Sequence, residues 1–562
     1  MNHLRWNLLP LVPAGHPATD CGFSPLLAQL MYNRGLTNPA QIEAFIKADS
    51  SLSGDPLLLP DIHQAINRVY QGLLSGEKIA VYGDFDVDGI TGTAILVQGL
   101  QALGGDITPY IPHRIREGHG LNSAALDYLK GEGISLVITV DCGVTGIAQV
   151  KKAKRHGLDI VITDHHTPLG ELPEAVAVVD PKRDDSKYPF DELAGVGVAY
   201  KFLEALYKGI GWEKQIANYL DLVALGTVAD MMPLLGENRY LVKQGLKELS
   251  KNRRPGIREI SILAGIDIAN IGTEEISWAL APRLNAASRL EHALTSYKLM
   301  VTESTEEAQD LSILLEEQNS ERQKMTSRSL AKAREQVQAK GIAPLLIASD
   351  PDYPPGIIGL VAGRLSEEFY RPSIVIKVGE KSSNGSCRSI PEFNIIKALN
   401  ECHELMSDFG GHDRAAGFTM PTKNLARLEE KLGQIAEEQL EGLDLRPKLD
   451  IDAVTTLSQM GGETYQSLQS LAPFGMGNPV PTFLSRSVEV VTCQTMGNNG
   501  DHLRLRLKQN NVNWEAVAFG LGERSKGMHS HIDIVYNLRL ERWRGEERLR
   551  LNIQDLAPSK QR

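Results

Sequence analysis

Short apolar runs alternate with amphipathic stretches between about residues 78 and 180. The runs are continuous and rich in β-branched residues, which is typical of parallel strands buried on both faces; they occupy 79–82, 136–140, 160–163 and 176–179. Helical patterns lie between them, for instance at 123–132 and 145–156. The alternation predicts a doubly wound α/β domain with a parallel sheet, whose functional sites form beyond the carboxyl ends of the strands.

Downstream of this region the pattern changes twice. After a mainly helical region, a polar stretch at 302–340 carries a sparse leucine stripe, which predicts one long helix of the kind that bridges domains, ended by Gly341. A second α/β unit is predicted from Pro344 to about Leu432. From about Leu449 apolar and polar residues alternate, which predicts half-exposed antiparallel strands and a small OB-type β-barrel; the clearest runs are 503–508, 514–519 and 532–540.

The chain is longer than one hydrophobic core usually organises, so roughly three or four domains are expected from its 562 residues. We predict an N-terminal segment, a large α/β domain, a long connecting helix, a second α/β domain and an OB-like domain, at 1–50, 51–300, 301–341, 342–435 and 449–562. The stretch 437–448 is the predicted linker. The predicted fold class is therefore α/β, multidomain, with a C-terminal β-barrel.

Composition excludes several classes of protein. No apolar stretch approaches the length of a membrane span, and the N-terminus lacks the apolar core of a signal peptide, so a cytoplasmic protein is expected. Five scattered cysteines argue against a disulfide framework or a zinc ribbon, and Cys142 is predicted to be a buried small residue. The formal net charge of −11 does not exclude a nucleic-acid partner, because bound divalent ions would invert the local charge.

Acidic side chains and imidazoles follow the ends of three predicted strands. Asp84, Asp86 and Asp88 come directly after the first run, Asp141 follows the second, and Asp164-His165-His166 follows the third. The carboxyl ends of parallel strands share one edge of the sheet, so these groups are expected to meet. Burying unpaired carboxylates is very costly, and the cluster therefore needs a cation.

Two other interpretations of the Asp-x-Asp-x-Asp-Gly segment are weaker. An EF-hand loop needs a bidentate Glu at its twelfth position, where this chain has Ile95, and the residues after Gly89 suit a helix packed on a sheet. A solvated acidic turn is the second alternative, since short Asp-rich turns are common. A divalent-metal site is favoured over both.

The composition of the ligand set indicates the metal and the reaction. Aspartate oxygens with little imidazole suit Mn²⁺ or Mg²⁺, and so many carboxylates suit two ions, which is the usual apparatus for hydrolysis at phosphorus. His165 and His166 are neighbours that point in different directions, so one is the expected ligand and the other a phosphate contact. A hydrogen-bonded structural histidine is the alternative for either one. Asp164 is expected to orient an imidazole from behind.

Six segments carry a family resemblance, in the expected order along the chain: 83–92, 140–143, 164–166, 226–230, 281–290 and 409–417. Together they resemble the motifs of the DHH phosphoesterase superfamily, and they are most similar to its RecJ family of bacterial single-stranded-DNA-specific exonucleases. The resemblance extends over nearly the whole chain. It implies a parallel-sheet DHH domain, a DHHA1-like second domain and a C-terminal OB-like domain.

The resemblance also implies roles for individual residues at the metal centre. Asp86, Asp88, Asp141, His165 and Asp230 would hold two divalent ions, Mn²⁺ or Mg²⁺, with Asp141 bridging them. His166 would touch the scissile phosphate. Smaller relatives have a histidine where this chain has Tyr82, so Asp84 is a further candidate ligand.

A second set of residues is predicted to bind DNA. By the resemblance, Ser386 and Arg388 hold the 5′ phosphate, and together with Ser389 they are expected near the N-terminus of a helix that begins at about Phe393, a natural anion site. The remaining candidates are Arg114, Arg283, Arg289, His412 in its glycine loop, and Arg542 and Trp543 among the arginines of the barrel. The alternatives are ordinary surface charges, ion pairs of Arg283 and Arg289 with Glu291 or other acids, and a solvated strand face for Arg504 and Arg506.

The function that the resemblance implies is a metal-dependent 5′-to-3′ exonuclease of single-stranded DNA that releases 5′ mononucleotides in recombination and repair. Single-stranded DNA is the expected substrate, a helicase and a single-strand-binding protein are candidate partners, and a monomer is expected. Two rival functions stay open at this point. They are a DHH-type phosphatase or short-oligonucleotide hydrolase, and a catalytically silent binding subunit.

Overall fold

A computed structural model of the chain describes residues 4–543 and 546–559, apart from the side chains of Asp20, Arg542 and Trp543. The strands, in chain order, are β1 (Arg5–Leu8), β2 (Lys78–Gly83), β3 (Asp106–Tyr110), β4 (Leu136–Val140), β5 (Asp159–Thr163), β6 (Ala177–Val179), β7 (Leu346–Asp350), β8 (Ser373–Lys377), β9 (Ser382–Arg388), β10 (Asp408–Gly411), β11 (Ala415–Pro421), β12 (Lys448–Ile451), β13 (Ala453–Val454), β14 (Phe483–Met496), β15 (His502–Gln509), β16 (Val512–Ala518), β17 (His531–Trp543) and β18 (Glu546–Pro558).

The α-helices, also in chain order, are α1 (Pro17–Asp20), α2 (Pro25–Asn33), α3 (Pro39–Lys47), α4 (Ile62–Leu74), α5 (Val87–Ala102), α6 (Ser123–Gly131), α7 (Ile147–Arg155), α8 (Gly195–Lys208), α9 (Leu220–Ala229), α10 (Gly236–Ser250), α11 (Pro255–Leu263), α12 (Thr273–Glu275), α13 (Ala281–Leu290), α14 (Leu294–Val301), α15 (Thr305–Lys340), α16 (Ile358–Phe369), α17 (Ile395–Asn400), α18 (Leu425–Leu440) and α19 (Gly462–Gln469). A π-helical segment, Ile276–Leu280, leads directly into α13. Within the described residues, no helix combines the length and the apolar character that crossing a bilayer requires.

The chain forms two compact units, and the first comprises Gly54–Met232 and Gln244–Arg446. Its first sheet is all parallel in the order β3-β2-β4-β5-β6, as the apolar runs predict. The sequence analysis did not predict the edge strand β3, because Asp106 and Pro109 interrupt its apolar character. Helix α5 is buried nearly all round, which suits its run of small and apolar residues, and it packs against α8 and α9.

The second sheet of this unit has the order β10-β11-β9-β8-β7, with β7 and β8 parallel and the other pairs antiparallel. The long helix α15 precedes it; Ser304 caps the first turn of α15, and Gly341, at φ 84°, follows its last turn. The predicted linker at 437–448 is wrong at both ends. Apolar residues of α18 stay buried as far as Leu440, and Lys448 already begins β12.

The second unit combines the N-terminal residues up to Ser53, Pro233–Lys243 and the C-terminal residues from Pro447. Its main sheet runs β13-β14-β15-β16-β18-β17 and closes through pairing of β14 with β17, which makes a barrel. The alternating apolar residues of these strands fill its interior. In addition, β1 pairs in parallel with β12, so the N-terminal segment and the barrel region form one unit.

A buried arginine ties the parts of this second unit together. The Arg239 guanidinium donates hydrogen bonds to the carbonyl oxygens of Phe45, Ser470, Ala472 and Pro473, at 2.7–3.4 Å, and lies over the Phe45 ring. These carbonyls satisfy a charge that would otherwise be very costly to bury. No local sequence pattern predicted that Arg239 would join these segments.

Candidate active site

The loop after β2 places the first acidic residues at the start of a helix. Asp86 is the N-cap of α5, and its Oδ1 accepts the backbone N–H groups of Asp88 at 2.9 Å and Gly89 at 3.2 Å. Asp is among the preferred N-cap residues because its carboxylate satisfies free N–H groups of the first turn. The cap points Asp88 inward, where it is almost completely buried.

The carboxylates from three parts of the chain meet around His165. Its Nε2 atom lies 3.0 Å from Asp141 Oδ1, 3.8 Å from Asp88 Oδ2 and 3.7 Å from Asp230 Oδ2. Asp141 directly follows β4 with φ 60°, a left-handed conformation that Asp tolerates better than most residues. The fold thus brings together at one sheet edge the residues that the strand-end pattern predicted to meet.

Three overlapping groups of side chains present ligand atoms within 4.8 Å of one another. They are Asp141, His165 and His166; Asp88, His165 and Asp230; and Asp84, Asp86 and Asp141. Asp141 and His165 each belong to two groups. A carboxylate shared between groups is the arrangement that a pair of neighbouring cations requires.

Burial makes this cluster unfavourable as a set of bare anions. Burial, and then the charge of Asp86, raises the pKa of Asp88 to about 7. Burial, and then the charge of Asp88, raises the pKa of Asp230 to about 9 and that of Asp141 well above its usual range. The acids therefore need positive charge nearby to be ionised together at neutral pH.

The donor set fits divalent cations. Asp84 Oδ1 and His165 Nδ1 are buried without a hydrogen-bond partner among the described residues. Burial lowers the pKa of His165 to about 3, so its imidazole is neutral and has a lone pair for a metal ion. Oxygen ligands with one or two nitrogens are the set that suits Mn²⁺ or Mg²⁺.

Asp164 supports the site from behind. Its carboxylate accepts the N–H groups of Val144, His165 and His166 at 2.7–3.2 Å and lies 2.8 Å from His166 Nδ1. Burial alone would raise the pKa of Asp164, but the hydrogen bond and charge of His166 prevail and lower it to about 2. The imidazole that Asp164 orients is thus that of His166 rather than that of His165.

The structure adds His119 and Asp180 to the site. His119 Nδ1 lies 3.2 Å from Asp84 Oδ2, its ring centre is 5.5 Å from that of His166, and the bond to Asp84 raises its pKa to about 9. It lies in the loop between β3 and α6, where no local pattern marks it. Asp180 directly follows β6 and is fully buried, and burial raises its pKa to about 7. Its position after a strand end was a signal that the sequence analysis did not use.

The start of α8 holds Asp88 from the opposite side. The backbone N–H groups of Gly195 and Val196 donate to Asp88 Oδ2 and Oδ1, each at 2.7 Å. These bonds also use the positive end of the helix dipole. The sequence analysis did not identify Gly195, because it belongs to none of the predicted motifs.

Ser386 and Arg388 do not lie at the N-terminus of the helix after Phe393, where the sequence analysis predicted them. Both belong to β9, and the helix after Phe393 is α17, whose first turn is capped by Asn394 instead. Of the three residues predicted there, Ser389 does lie beside the start of that helix, where its Oγ donates to the Phe393 carbonyl oxygen at 2.6 Å. The expected proximity is wrong for Ser386 and Arg388, because β9 continues through Arg388 in its pairing with β8 and β11. The pair instead faces the first turn of α16, where a Cβ on Gly359 would lie 3.0 Å from Ser386 Oγ and 3.2 Å from Arg388 Nη2.

Arg114, Arg289 and Arg388 form a cationic cluster beside α16. Arg289 Nη1 donates to the Gly356 carbonyl oxygen at 3.1 Å, and Arg114 lies over the Phe85 ring at 4.7 Å. Burial, and then the charges of Arg114, Arg322 and Arg388, lower the pKa of Arg289 to about 9. Among the described residues none of these arginines has a carboxylate ion-pair partner, so an anionic ligand would relieve the repulsion.

Of the remaining DNA-binding candidates, Arg283 already forms an ion pair and His412 is exposed. Arg283 Nε is 2.5 Å from Glu316 Oε2, so it forms an ion pair of the kind weighed as the alternative, although with a different acid than Glu291. His412 is exposed at the turn between β10 and β11. The side chains of Arg542 and Trp543 lie outside the described part of the chain. Arg504 in β15 is exposed and lies 3.6 Å from Glu515.

The raised pKa values predict a pH-dependent stabilisation by metal. Folded-state pKa values of about 7 for Asp88 and about 9 for Asp230 lie above the usual value, so the metal-free protein loses stability as pH rises through them. The raised pKa of His119 acts in the same direction over this window. Because metal ions replace the protons, we expect Mn²⁺ to raise Tm more at about pH 8.5 than at about pH 6, as its apparent Kd falls with pH. Thermal unfolding with and without Mn²⁺ measures this, and an equal or larger gain at the lower pH would contradict it.

Three family models match the chain: the DHH family N-terminal domain over residues 78–227, the DHHA1 domain over 341–438 and the RecJ OB domain over 451–555. A curated relative, the single-stranded-DNA-specific exonuclease RecJ of Bacillus subtilis (strain 168), is 36% identical over 541 residues. The match covers 95% of this chain and 68% of that relative.

Two crystal structures of RecJ from Thermus thermophilus also match. The one in complex with Mn²⁺ has a TM-score of 0.86 at 30% identity, covering 99% of this chain and 80% of the other. The one in complex with Mg²⁺ has a TM-score of 0.79 at 28% identity, covering 99% and 79%. These matches confirm the predicted resemblance and the predicted fold class, including the OB-type barrel.

Proposed function

The chain belongs to the RecJ family of single-stranded-DNA-specific exonucleases, and from this premise we propose that it degrades single-stranded DNA from the 5′ end with two divalent ions, releasing 5′ mononucleotides. One observation carries the proposal. A buried acidic cluster that needs cations lies in the same unit as arginines that need an anion. Arg114 connects the two groups, because the charges of Asp84 and Asp86 act on its guanidinium. A phosphodiester held by metal ions and arginines satisfies both requirements.

The proposed ligands are the members of the three overlapping groups other than His166. Asp86, Asp88, Asp141, His165 and Asp230 hold Mn²⁺ or Mg²⁺, with Asp141 shared and Asp84 available to the ion nearest Asp86. When bound, the ions activate water and neutralise charge at phosphorus. The chain's own residues position this chemistry.

His166 is the proposed contact to the scissile phosphate. It is half-exposed at the rim of the site, and its Nδ1 is engaged by Asp164, so Nε2 is the atom that faces a substrate. Burial would lower the pKa of His166, but the bond and charge of Asp164 raise it overall. When the ring carries both protons, its Nε2–H donates a charge-assisted hydrogen bond to a phosphate oxygen.

The 5′ end is proposed to bind at the first turn of α16. Ser386 and Arg388 supply a hydroxyl and a guanidinium there, and α16 has no side-chain cap of its own, so its free N–H groups can bind an anion. Arg114 and Arg289 complete this phosphate site. Arg283 and His412 are proposed as weaker contacts to the strand, and the barrel, with Arg542 and Trp543, as a separate surface for single-stranded DNA.

The wider setting follows from the family membership and is proposed on that basis alone. We retain the domain division at 1–50, 51–300, 301–341, 342–435 and 449–562. A monomeric cytoplasmic enzyme in recombination and repair is proposed, with a helicase and a single-strand-binding protein as partners that supply and cover single strands.

The test compares substrates labelled at either end. Single strands and duplexes labelled at the 5′ or 3′ terminus are incubated with Mn²⁺, and products are resolved over time. We expect labelled mononucleotide at once from the 5′-labelled single strand, progressive shortening of the 3′-labelled one, and little attack on blunt duplex. Mononucleotide released first from the 3′ label would overturn the polarity. Hydrolysis confined to oligomers of a few nucleotides would instead indicate a small-substrate hydrolase, and no hydrolysis a silent binding subunit.

A further inference from the structure

Arg322 is a half-buried cation in the middle of α15 whose charge is little compensated. Its Nη2 donates to Asn319 Oδ1 at 2.8 Å, while its Nε is buried without a partner. Asn319 is itself almost completely buried, so the guanidinium is held in one orientation. Within the described residues Arg322 makes no ion pair, although a desolvated charge normally acquires one.

Two other basic residues of the same helix, Lys332 and Arg334, have carboxylate partners. Lys332 lies 2.6 Å from Asp350 Oδ2, and Arg334 makes two hydrogen bonds of 2.8 Å to the Glu368 carboxylate. Both carboxylates belong to neighbouring elements, β7 and α16, so these two more exposed charges are compensated. Arg322 lacks one where the side chain is most desolvated.

Two contacts place α15 alongside α13 next to Arg322. Gln318 Nε2, one turn earlier, donates to Glu291 Oε2 at 2.9 Å, and Arg283 pairs with Glu316. Glu291 directly follows the end of α13, two residues after Arg289. The carbonyl oxygen of Arg289 approaches Gly356 so closely that a Cβ there would lie 2.1 Å from it.

The neighbours of Arg322 are themselves cations. Burial, and then the charges of Arg364 and Arg283, lower its pKa, and its own charge acts on Arg289. Arg388 and Arg114 act on Arg289 but are not among the main influences on Arg322. Arg322 thus adds a further cation to the cluster, on the side of α15 that packs against α13.

We propose that Arg322 binds an internal backbone phosphate of the single strand, so that the long helix forms part of the substrate path as well as connecting two domains. This inference rests on the proposed exonuclease function. A guanidinium suits the role because its planar donors match phosphate oxygens and its charge persists after desolvation. The second terminal nitrogen, which makes no hydrogen bond within the described residues, is the donor left for the phosphate.

The test measures affinity for a single-stranded oligonucleotide without divalent metal, over a series of salt concentrations. Arg322→Gln is compared with the wild type and with the matched control Arg334→Gln on the same helix, using oligomers with a 5′ phosphate or a 5′ hydroxyl. We expect Arg322→Gln to weaken binding about tenfold for both oligomers and to reduce the salt slope by about 0.7, the value for one phosphate of a single strand. Arg334→Gln should stay within about twofold, since its guanidinium is already paired.

The remaining outcomes distinguish failure of the inference about Arg322 from failure of the proposed exonuclease function. Wild-type affinity or an unchanged salt slope in Arg322→Gln would overturn the inference and assign Arg322 to packing. A loss confined to the 5′-phosphorylated oligomer would overturn it by placing Arg322 at the terminal phosphate. With Mn²⁺ added, kcat/KM should fall in Arg322→Gln through a raised KM. If the wild type neither binds nor degrades single strands, the proposed function itself has failed.

Discussion

We expect Asp141→Asn to reduce exonuclease activity by about 10³-fold or more, because it removes charge from the one carboxylate that belongs to two of the ligand groups. Asparagine is the informative substitution because Asp141 adopts φ 60°, which asparagine tolerates better than alanine. The measurements are initial rates on a 5′-labelled single strand and Mn²⁺ binding by titration. Both should fall together.

The Tm of the metal-free protein distinguishes a loss of Mn²⁺ binding in Asp141→Asn from misfolding. Burial and neighbouring acids raise the pKa of Asp141, so removing its charge relieves repulsion in the metal-free protein. We therefore expect the metal-free Tm of Asp141→Asn to equal or exceed that of the wild type, while the gain from Mn²⁺ is lost. Asp159→Asn is the matched control, since Asp159 begins β5 at the opposite end of the sheet and pairs with Arg68. Wild-type Mn²⁺ affinity in Asp141→Asn would disprove the assigned ligand role.

Gly195→Ala should weaken Mn²⁺ binding by about 10- to 100-fold, the range typical of residues that position metal ligands. An added Cβ would lie 2.5 Å from the Cβ of Asp141, a distance that forces Asp141 to move. The backbone N–H that Gly195 donates to Asp88 is retained in alanine, and φ at this position is not in the left-handed region. The substitution therefore tests the steric fit between α8 and Asp141 alone.

Gly197→Ala, two residues later in α8, provides the control for helix propensity. Its added Cβ would meet Leu193 at 3.4 Å, which is ordinary van der Waals contact. We expect unchanged Mn²⁺ affinity and a metal-free stability that is equal or up to about 1 kcal/mol higher, because alanine favours helix over glycine. Equal Mn²⁺ affinity in the two variants would show that the close approach at Gly195 does not set the position of Asp141.

Local pattern was enough to predict the acidic edge. Each metal-ligand candidate from Asp84 to His166 follows an apolar strand, and parallel strands must end at one edge whichever helices connect them. The same reasoning located the barrel and the long helix, since periods of 2 and 3.6 residues are local properties. It missed β3, whose apolar pattern is interrupted, and it extended the predicted linker into α18.

Contacts between distant segments were beyond that reasoning. The N–H groups that hold Asp88 come from residues 107 and 108 positions away, and His119 reaches Asp84 from a loop without a periodic pattern. The misplaced helix N-terminus at Ser386 and Arg388 has the same origin, because the strand pairing of β9 decides where it ends.

Patterns along the chain were sufficient to predict which acidic and imidazole side chains meet at one edge of the sheet, because strand and helix periods and the order of acids after strand ends are local properties. The folded chain as a whole sets which distant neighbours orient those residues, such as Gly195 against Asp141 and His119 against Asp84. The physical reason is that these contacts join residues with no shared period, and packing brings them together only after the whole sheet and its helices have formed.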